Sequence, residues 1–220
     1  MSAAPPDVID HLAGIQPGSP LAAIRDGRMQ ARENAQNSFA ALFAPAETAD
    51  MSMEERFAVA VFVTGLHRDA TATVFYRECL QPGLVTAIAA EAALGAGTGP
   101  YGAYPSPALA AENIAGPVFQ VSDANRGVLD PRLVAVLEHT HMLVFHPRDA
   151  DSDALQRLLD AGWSTTGIVT VSQLVAFLTF QLRAAAGLRT LASTLASTVA
   201  SGMASGMASG IASGIGGTLR

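Results

Sequence analysis

The chain has 220 residues, of which 50% are hydrophobic, 6% aromatic and 15% charged, with a formal net charge of −6. That length can bury a sizeable core as one domain with a tail, and an alanine-rich, aromatic-poor mixture suits packed helices better than a β-sandwich. All 13 basic residues are arginine, which excludes lysine Schiff-base and Walker-type phosphate chemistry.

The acidic balance shows no basic stripe, so nucleic acid is not expected as a partner. One cysteine, Cys79, leaves no internal disulfide framework and no Cys-rich metal site. The stretch Met1 to Pro20 lacks a basic segment followed by an apolar one, so no secretory signal is expected and a cytoplasmic location is.

Residues 1–20 read as an N-terminal arm, in which the short apolar segment Val8 to Ile15 ends in the turn Gln16-Pro17-Gly18. Ser19-Pro20 then supplies an N-cap and a first-turn proline for a helix from about Leu21, with Gly27 as its interruption. A second helical stretch, Gln30 to Phe43, carries Phe39, Leu42 and Phe43 on its buried face. Ser52-Met53-Glu54-Glu55 is a capping box, and the nearly all-apolar run Phe57 to Leu66 behind it predicts a central helix. His67-Arg68-Asp69 breaks that run, and Asp69 caps a helix over Ala70 to Leu80. After Pro82-Gly83 an alanine-rich helix runs from Leu84 to Leu94.

Gly95 to Leu129 is rich in Gly and Pro and reads as a long ordered loop with a short extended piece at Pro117 to Val121, a length that in compact domains often carries function. Asp130-Pro131 opens a helix through Phe145, which Pro147 stops. Asp151-Ser152 caps a short helix ending at Gly162, and Ser164 caps a long apolar helix from about Thr166 past Leu188. Residues 192–220 form a low-complexity tail, part of a four-residue repeat with large residues at Leu191, Leu195, Val199, Met203, Met207, Ile211 and Ile215. On a helix that repeat sets a ridge beside a small-residue groove. The tail reads as an extension frayed by glycine, which costs about 1 kcal/mol per residue against alanine. A self-association helix is the alternative, and a Gly/Ser content this high makes a membrane-spanning role the least expected.

Two stretches carry a family resemblance. MSMEERFAVAVFVTGLHRDATATVFYRECL (Met51 to Leu80) resembles the core helix pair of the carboxymuconolactone decarboxylase / alkyl hydroperoxidase D superfamily. LQRLLDAGWSTTGIVTVSQLVAFLTFQLRAAAGLRTL (Leu155 to Leu191) resembles the short-helix, turn, long-helix signature of its peroxidase-related branch. The resemblance spans Leu21 to Leu191. It implies an all-α, alkyl-hydroperoxidase-D-like helical bundle in one domain (residues 21–191, with the loop at 95–129), a homo-oligomer, and no cofactor or metal.

Peroxidases of this superfamily carry C-x-x-C-x-x-x-H at the start of the second core helix, where the helix N-terminus lowers a thiol pKa and a second thiol resolves the oxidised first one. Here the cysteine positions fall on Asp69 and Ala72, the histidine position on Tyr76, and the relay glutamate near Phe57, within a turn of Glu54 and Glu55. The dithiol mechanism is therefore absent. What remains is the cluster Glu55, His67, Asp69 and Tyr76. In it His67 serves as acid or base, Asp69 or Glu55 orients it, and Tyr76 donates to a developing oxyanion.

Three of these four residues also have a plain structural role: Glu55 in the capping box, Asp69 as an N-cap, His67 in a polar inter-helix break. Cys79 reads as a small core residue. His139, His141 and His146 beside Glu138 lack the i, i+4 ligand pair and read as structural. Three functions follow: a peroxidase-related domain protein without classical peroxidase activity, a cofactor-free lyase or isomerase acting on a small organic acid through His67, or a non-catalytic oligomeric binding or scaffold subunit.

Overall fold

A computed structural model describes the backbone of residues 5–214 and the side chains of residues 5–197. The described chain is a single all-α domain. Its α-helices are α1 (Val8–Ala13), α2 (Pro20–Asp26), α3 (Met29–Phe43), α4 (Met53–Leu66), α5 (Ala70–Arg77), α6 (Pro82–Gly95), α7 (Asp123–Arg126), α8 (Pro131–Phe145), α9 (Ser152–Asp160) and α10 (Thr165–Gly214). Among the described residues the only extended pairing is one antiparallel bridge between Gly102 and Ile114.

Helix α4 sets the architecture because it offers no polar face. Ser52 Oγ accepts the Glu55 N–H at 3.2 Å and Glu55 Oε2 accepts the Ser52 N–H at 2.8 Å, closing the capping box. Every residue from Phe57 to Thr64 is buried, so the helix needs cover on all sides. That cover comes from α3, α5, α6, α8 and the first part of α10. Gly65 lets α6 come close, since a Cβ there would lie 2.7 Å from the Ala92 Cβ. Thr64, the one hydroxyl in the sealed stretch, donates to Val61 O at 3.0 Å and accepts from Thr73 of α5 at 3.0 Å.

Within the N-terminal arm, α1 is packed against the body of the domain. Val8, Ile9 and Leu12 are 0–1% exposed, and α1 packs on α10 and α3. Six residues are too few for hydrophobic periodicity to reveal a helix, and what fixes this one is charge. Asp7 and Asp10 face Arg25 and Arg32: Arg25 Nε reaches Asp10 at 2.8 Å, and Arg32 reaches Asp7 at 2.7 Å and Asp10 at 2.6 Å. Asp7 also caps α1 by accepting the Asp10 N–H at 2.8 Å. Gln36 completes the clip, accepting the Val8 N–H at 2.9 Å and donating to Pro5 O at 3.0 Å.

The segment Gly95 to Leu129 is a largely irregular connection that contains a 3-10 turn at Pro107–Glu112 and the single turn of α7. Pro117 to Val121 pairs with no strand. Buried Glu91 anchors the far end, accepting from the Ser122 N–H at 3.1 Å, the Ser122 hydroxyl, and Asn125 Nδ2 at 2.7 Å. The near end is held by Tyr101, whose N–H donates to Phe145 O at 2.6 Å.

Helix α5 stops at Arg77 rather than Leu80, and Cys79, read from sequence as a core residue, is exposed in the turn beyond it. The last helix, α10, starts where Ser164 Oγ accepts the Gly167 N–H at 3.0 Å and continues through the four-residue repeat. The ridge and groove expected from Val199 onward involve side chains outside those described, and Ile215 lies outside the described residues. Thr165–Ser197 is long and apolar enough to cross a membrane by length and composition, and half of its most apolar window is packed inside the fold.

Burial raises the Asp7 pKa, but the Asp10 N–H, Arg32 and Arg25 together outweigh it and hold the group below its ordinary 3.8. Its stabilising contribution is complete above that ordinary value and disappears as pH falls through the lower folded one. Asp7→Asn should cost about 2 kcal/mol at neutral pH, and the deficit relative to the parent should vanish in strong acid. Urea denaturation from pH 7 down to about pH 2 measures both. A deficit that persists unchanged into acid would show that the charge is not what clips α1.

Candidate functional site

The C-terminal end of α4 is built by backbone rules. The Arg68 N–H donates to Gly65 O at 2.9 Å and the Asp69 N–H to Thr64 O at 3.0 Å, the pair of bonds that closes a Schellman turn. Arg68 sits at the left-handed position with φ of 56°, where glycine is the usual residue. His67 is thereby the last residue before the chain reverses, and Asp69 is placed to cap α5 by accepting the Ala72 N–H at 3.0 Å. The second Asp69 oxygen pairs with Arg189 of α10, which also donates to Leu12 O at 3.0 Å.

His67 borders a cleft of about 900 Å³ between the Gly97–Pro100 segment, the end of α8 and the middle of α10. The α10 wall presents Ser172, Thr179 and Arg183; Arg148 closes the α8 side. No Asp or Glu lines the cleft. Among the described residues, Arg183 and Thr179 make no side-chain hydrogen bond. Arg148 bonds to Tyr104 Oη at 2.6 Å and stacks over that ring at 3.9 Å, without a carboxylate partner. The His67 Nε2 is enclosed with no hydrogen-bond partner. Burial pushes the His67 pKa down and the positive charge of Arg183 adds to that, against a smaller opposing pull from Asp69. The ring is therefore a neutral base at neutral pH, within the field of Arg183, in a cleft whose walls also carry Arg148, Ser172 and Thr179.

The four sequence candidates do not meet at one point. Glu55 and His67 lie at opposite ends of α4, roughly 18 Å apart along its axis at 1.5 Å per residue. Glu55 is engaged with Arg132 Nε at 2.6 Å, and Arg132 stacks over Trp163 at 3.9 Å. Tyr76 is fully buried among Phe43, Phe57 and Phe75, and its hydroxyl donates to Gln181 Oε1 at 2.6 Å. Burial drives its pKa far up, so it remains a neutral phenol. Asp69 is occupied as cap and ion-pair partner. Of the four, only His67 lines the cleft.

The residues that join His67 there are Arg148, Arg183 and Thr179, which sequence reasoning missed. A signal for part of them existed. Ser172, Thr179 and Arg183 are spaced by seven and four residues in an otherwise apolar helix, so they share one face. Among the described residues no three His, Cys, Asp or Glu side chains converge as a metal site would need. Compared with protein-family models, curated proteins and solved structures, the chain matches none of them.

The left-handed Arg68 carries a cost of about 1 kcal/mol for its Cβ. Arg68→Gly should raise stability by about 0.5–1 kcal/mol in urea denaturation, while Arg68→Ala, which keeps the Cβ, leaves it near the parent value. A glycine variant less stable than the parent would show that the arginine side chain itself holds the turn.

Proposed function

We propose that this protein is a cofactor-free acid–base enzyme, a lyase or isomerase acting on a small organic acid in the cleft at the C-terminal end of α4, with His67 as the proton-transfer group. The observation that carries this reading is the neutral, partly buried His67 beside the unpaired Arg183 in a cleft with no carboxylate. Guanidinium groups hold a substrate carboxylate. His67 accepts the proton from the adjacent carbon, and Arg183 and Arg148 balance the charge that then develops on the carboxylate oxygens. Since Nε2 is enclosed, Nδ1 is the nitrogen assigned to the proton. The Thr179 hydroxyl is free to orient a further substrate oxygen.

We place the chain with the carboxymuconolactone decarboxylase / alkyl hydroperoxidase D-like superfamily on the sequence pattern of Met51 to Leu80 and Leu155 to Leu191, as a peroxidase-related member without the dithiol. The first pattern forms the α4–α5 pair. A thiol peroxidase reading has little to stand on: Asp69 and Ala72 occupy the thiol positions. At Cys79, burial and the neighbouring Glu78 push the pKa up, away from the thiolate that such chemistry needs.

The test works on a panel of candidate substrates. Small carboxylic acids incubated in D2O with the protein are followed by NMR for exchange of the hydrogen next to the carboxylate. At least one acid should exchange faster with the protein than without it. His67→Ala should slow that exchange about 10²–10⁴-fold with helicity by circular dichroism unchanged. Because a lowered folded pKa keeps His67 neutral to lower pH, the acid limb of the rate profile should fall below the ordinary histidine value of 6.5. Exchange that is equally fast in His67→Ala removes the proposal.

A second reading, self-association, is favoured by α10 alone. Its 50 residues extend about 75 Å at helical rise, and the four-residue repeat runs along its second half. Ending the chain at Leu191 should then lower the mass in light scattering, and an unchanged mass counts against it.

A further inference from the structure

A second cavity, of about 410 Å³, lies on the other side of α8 from the His67 cleft, between α8, α9 and the Val118–Gln120 segment. Its polar lining is Gln120, Glu138, His139, His141, His146, Asp149 and Arg157, and most of the titratable groups in it are already engaged. His146 bridges Pro117 O and Asp149, each at 3.0 Å. The other Asp149 oxygen accepts the Ala103 N–H at 3.2 Å. Glu138 accepts from the Val121 N–H at 3.0 Å and pairs with Arg126. His141 Nε2 meets Gly95 O at 3.0 Å, and its ring stacks on Phe119 with centroids 4.9 Å apart.

Of the titratable groups, two remain unengaged. His139 is 6% exposed, yet neither ring nitrogen has a side-chain hydrogen-bond partner among the described residues, and neither is sealed from the cavity as His67 Nε2 is from its own. A buried polar group of this kind ordinarily finds a partner. Arg157, on α9, is exposed and donates no side-chain hydrogen bond among the described residues, but its charge acts on His139. Together with burial it drives the His139 pKa down to about 4, so the ring faces the cavity neutral, with one donor and one acceptor to offer. The remaining walls are Phe119, Ala135, Met142 and Ala154.

We propose that this cavity is a binding site for a small monocarboxylate with an apolar body. The carboxylate is held by Arg157, a hydrogen bond comes from His139, and the body lies against Phe119 and Met142. One free guanidinium accounts for one carboxylate, since of the two acidic side chains in the lining Glu138 is paired with Arg126 and Asp149 is held by hydrogen bonds from His146 and the Ala103 N–H. The site stands apart from the His67 cleft, because the two cavities share no lining residue.

The full chain, carrying 13C at histidine Cε1, is titrated at neutral pH with benzoate as the probe and benzylamine as its cationic counterpart. Benzoate should move the His139 resonance saturably, whatever it does at His67, while benzylamine leaves the His139 resonance in place. Arg157→Gln, a change at an exposed residue, should weaken benzoate binding at least about tenfold, in line with a charge-assisted hydrogen bond. His139→Gln should bind more weakly than the parent in calorimetry. A His139 resonance that stays put at every benzoate concentration the protein tolerates overturns the proposal. Benzylamine acting like benzoate, or Arg157→Gln binding as well as the parent, does the same.

Discussion

The constraint on which the rest of this structure depends is that α4 has no polar face to give away. A helix sealed from Phe57 to Thr64 leaves only its ends for exposed polar side chains. The two ends are finished differently. At the N-terminus, Glu55 closes a capping box and ties to Arg132, whose guanidinium also donates to Asp50 O at 2.7 Å and stacks over Trp163. That end is a rivet joining α4, α8 and the turn before α10. At the C-terminus, the Schellman turn leaves His67 facing a cleft. One end holds the fold together and the other is open for function.

The distribution of arginine follows the same division. In a chain with no lysine and a net charge of −6, carboxylates are plentiful, and what matters is where the guanidinium groups without one lie. Arg25, Arg32, Arg126, Arg132 and Arg189 each pair with Asp or Glu. Arg56, buried, has its pKa lowered by burial and is met by the Met51 and Leu42 carbonyls at 3.1 and 2.9 Å. Arg28, Arg68, Arg77, Arg148, Arg157 and Arg183 form no salt bridge among the described residues, and three of these, Arg148, Arg157 and Arg183, border the two cavities. Positive charge held in reserve beside a cavity favours an anionic ligand, because the ligand supplies the pairing that the fold withholds.

Local signals in the sequence were legible to the extent that they are local. Ser19, Ser52, Asp69, Asp151 and Ser164 all accept backbone N–H groups at the helix starts that their sequence contexts mark. Proline and glycine punctuation located most helix boundaries to within a few residues. The features that escaped depend on distant partners. Tyr76 meets Gln181 across 105 positions, and Asp69 meets Arg189 across 120. The α1 segment is too short to announce itself, and its ion pairs come from two later helices. The separation of Glu55 from His67, by contrast, could have been read directly. Twelve helical residues cannot bring two side chains to one substrate atom.

The N-terminus of α5 shows why a helix start attractive to anions is not a reactive position here. Exposed N–H groups and the helix dipole make such a position attractive to an anion, and a thiol there would be acidified. Asp69 fills it with a permanent carboxylate that accepts the Ala72 N–H and binds Arg189. The local field is thereby neutralised, and α10 is fastened to the α4–α5 turn. Reactivity at that position and this fastening are mutually exclusive, since a carboxylate satisfied by two partners has no reason to leave them. The base two residues upstream, His67, escapes the same fate because burial and Arg183 both disfavour its charged form. It stays neutral where Asp69 stays paired, and that difference separates a residue able to take a proton from one that holds the turn.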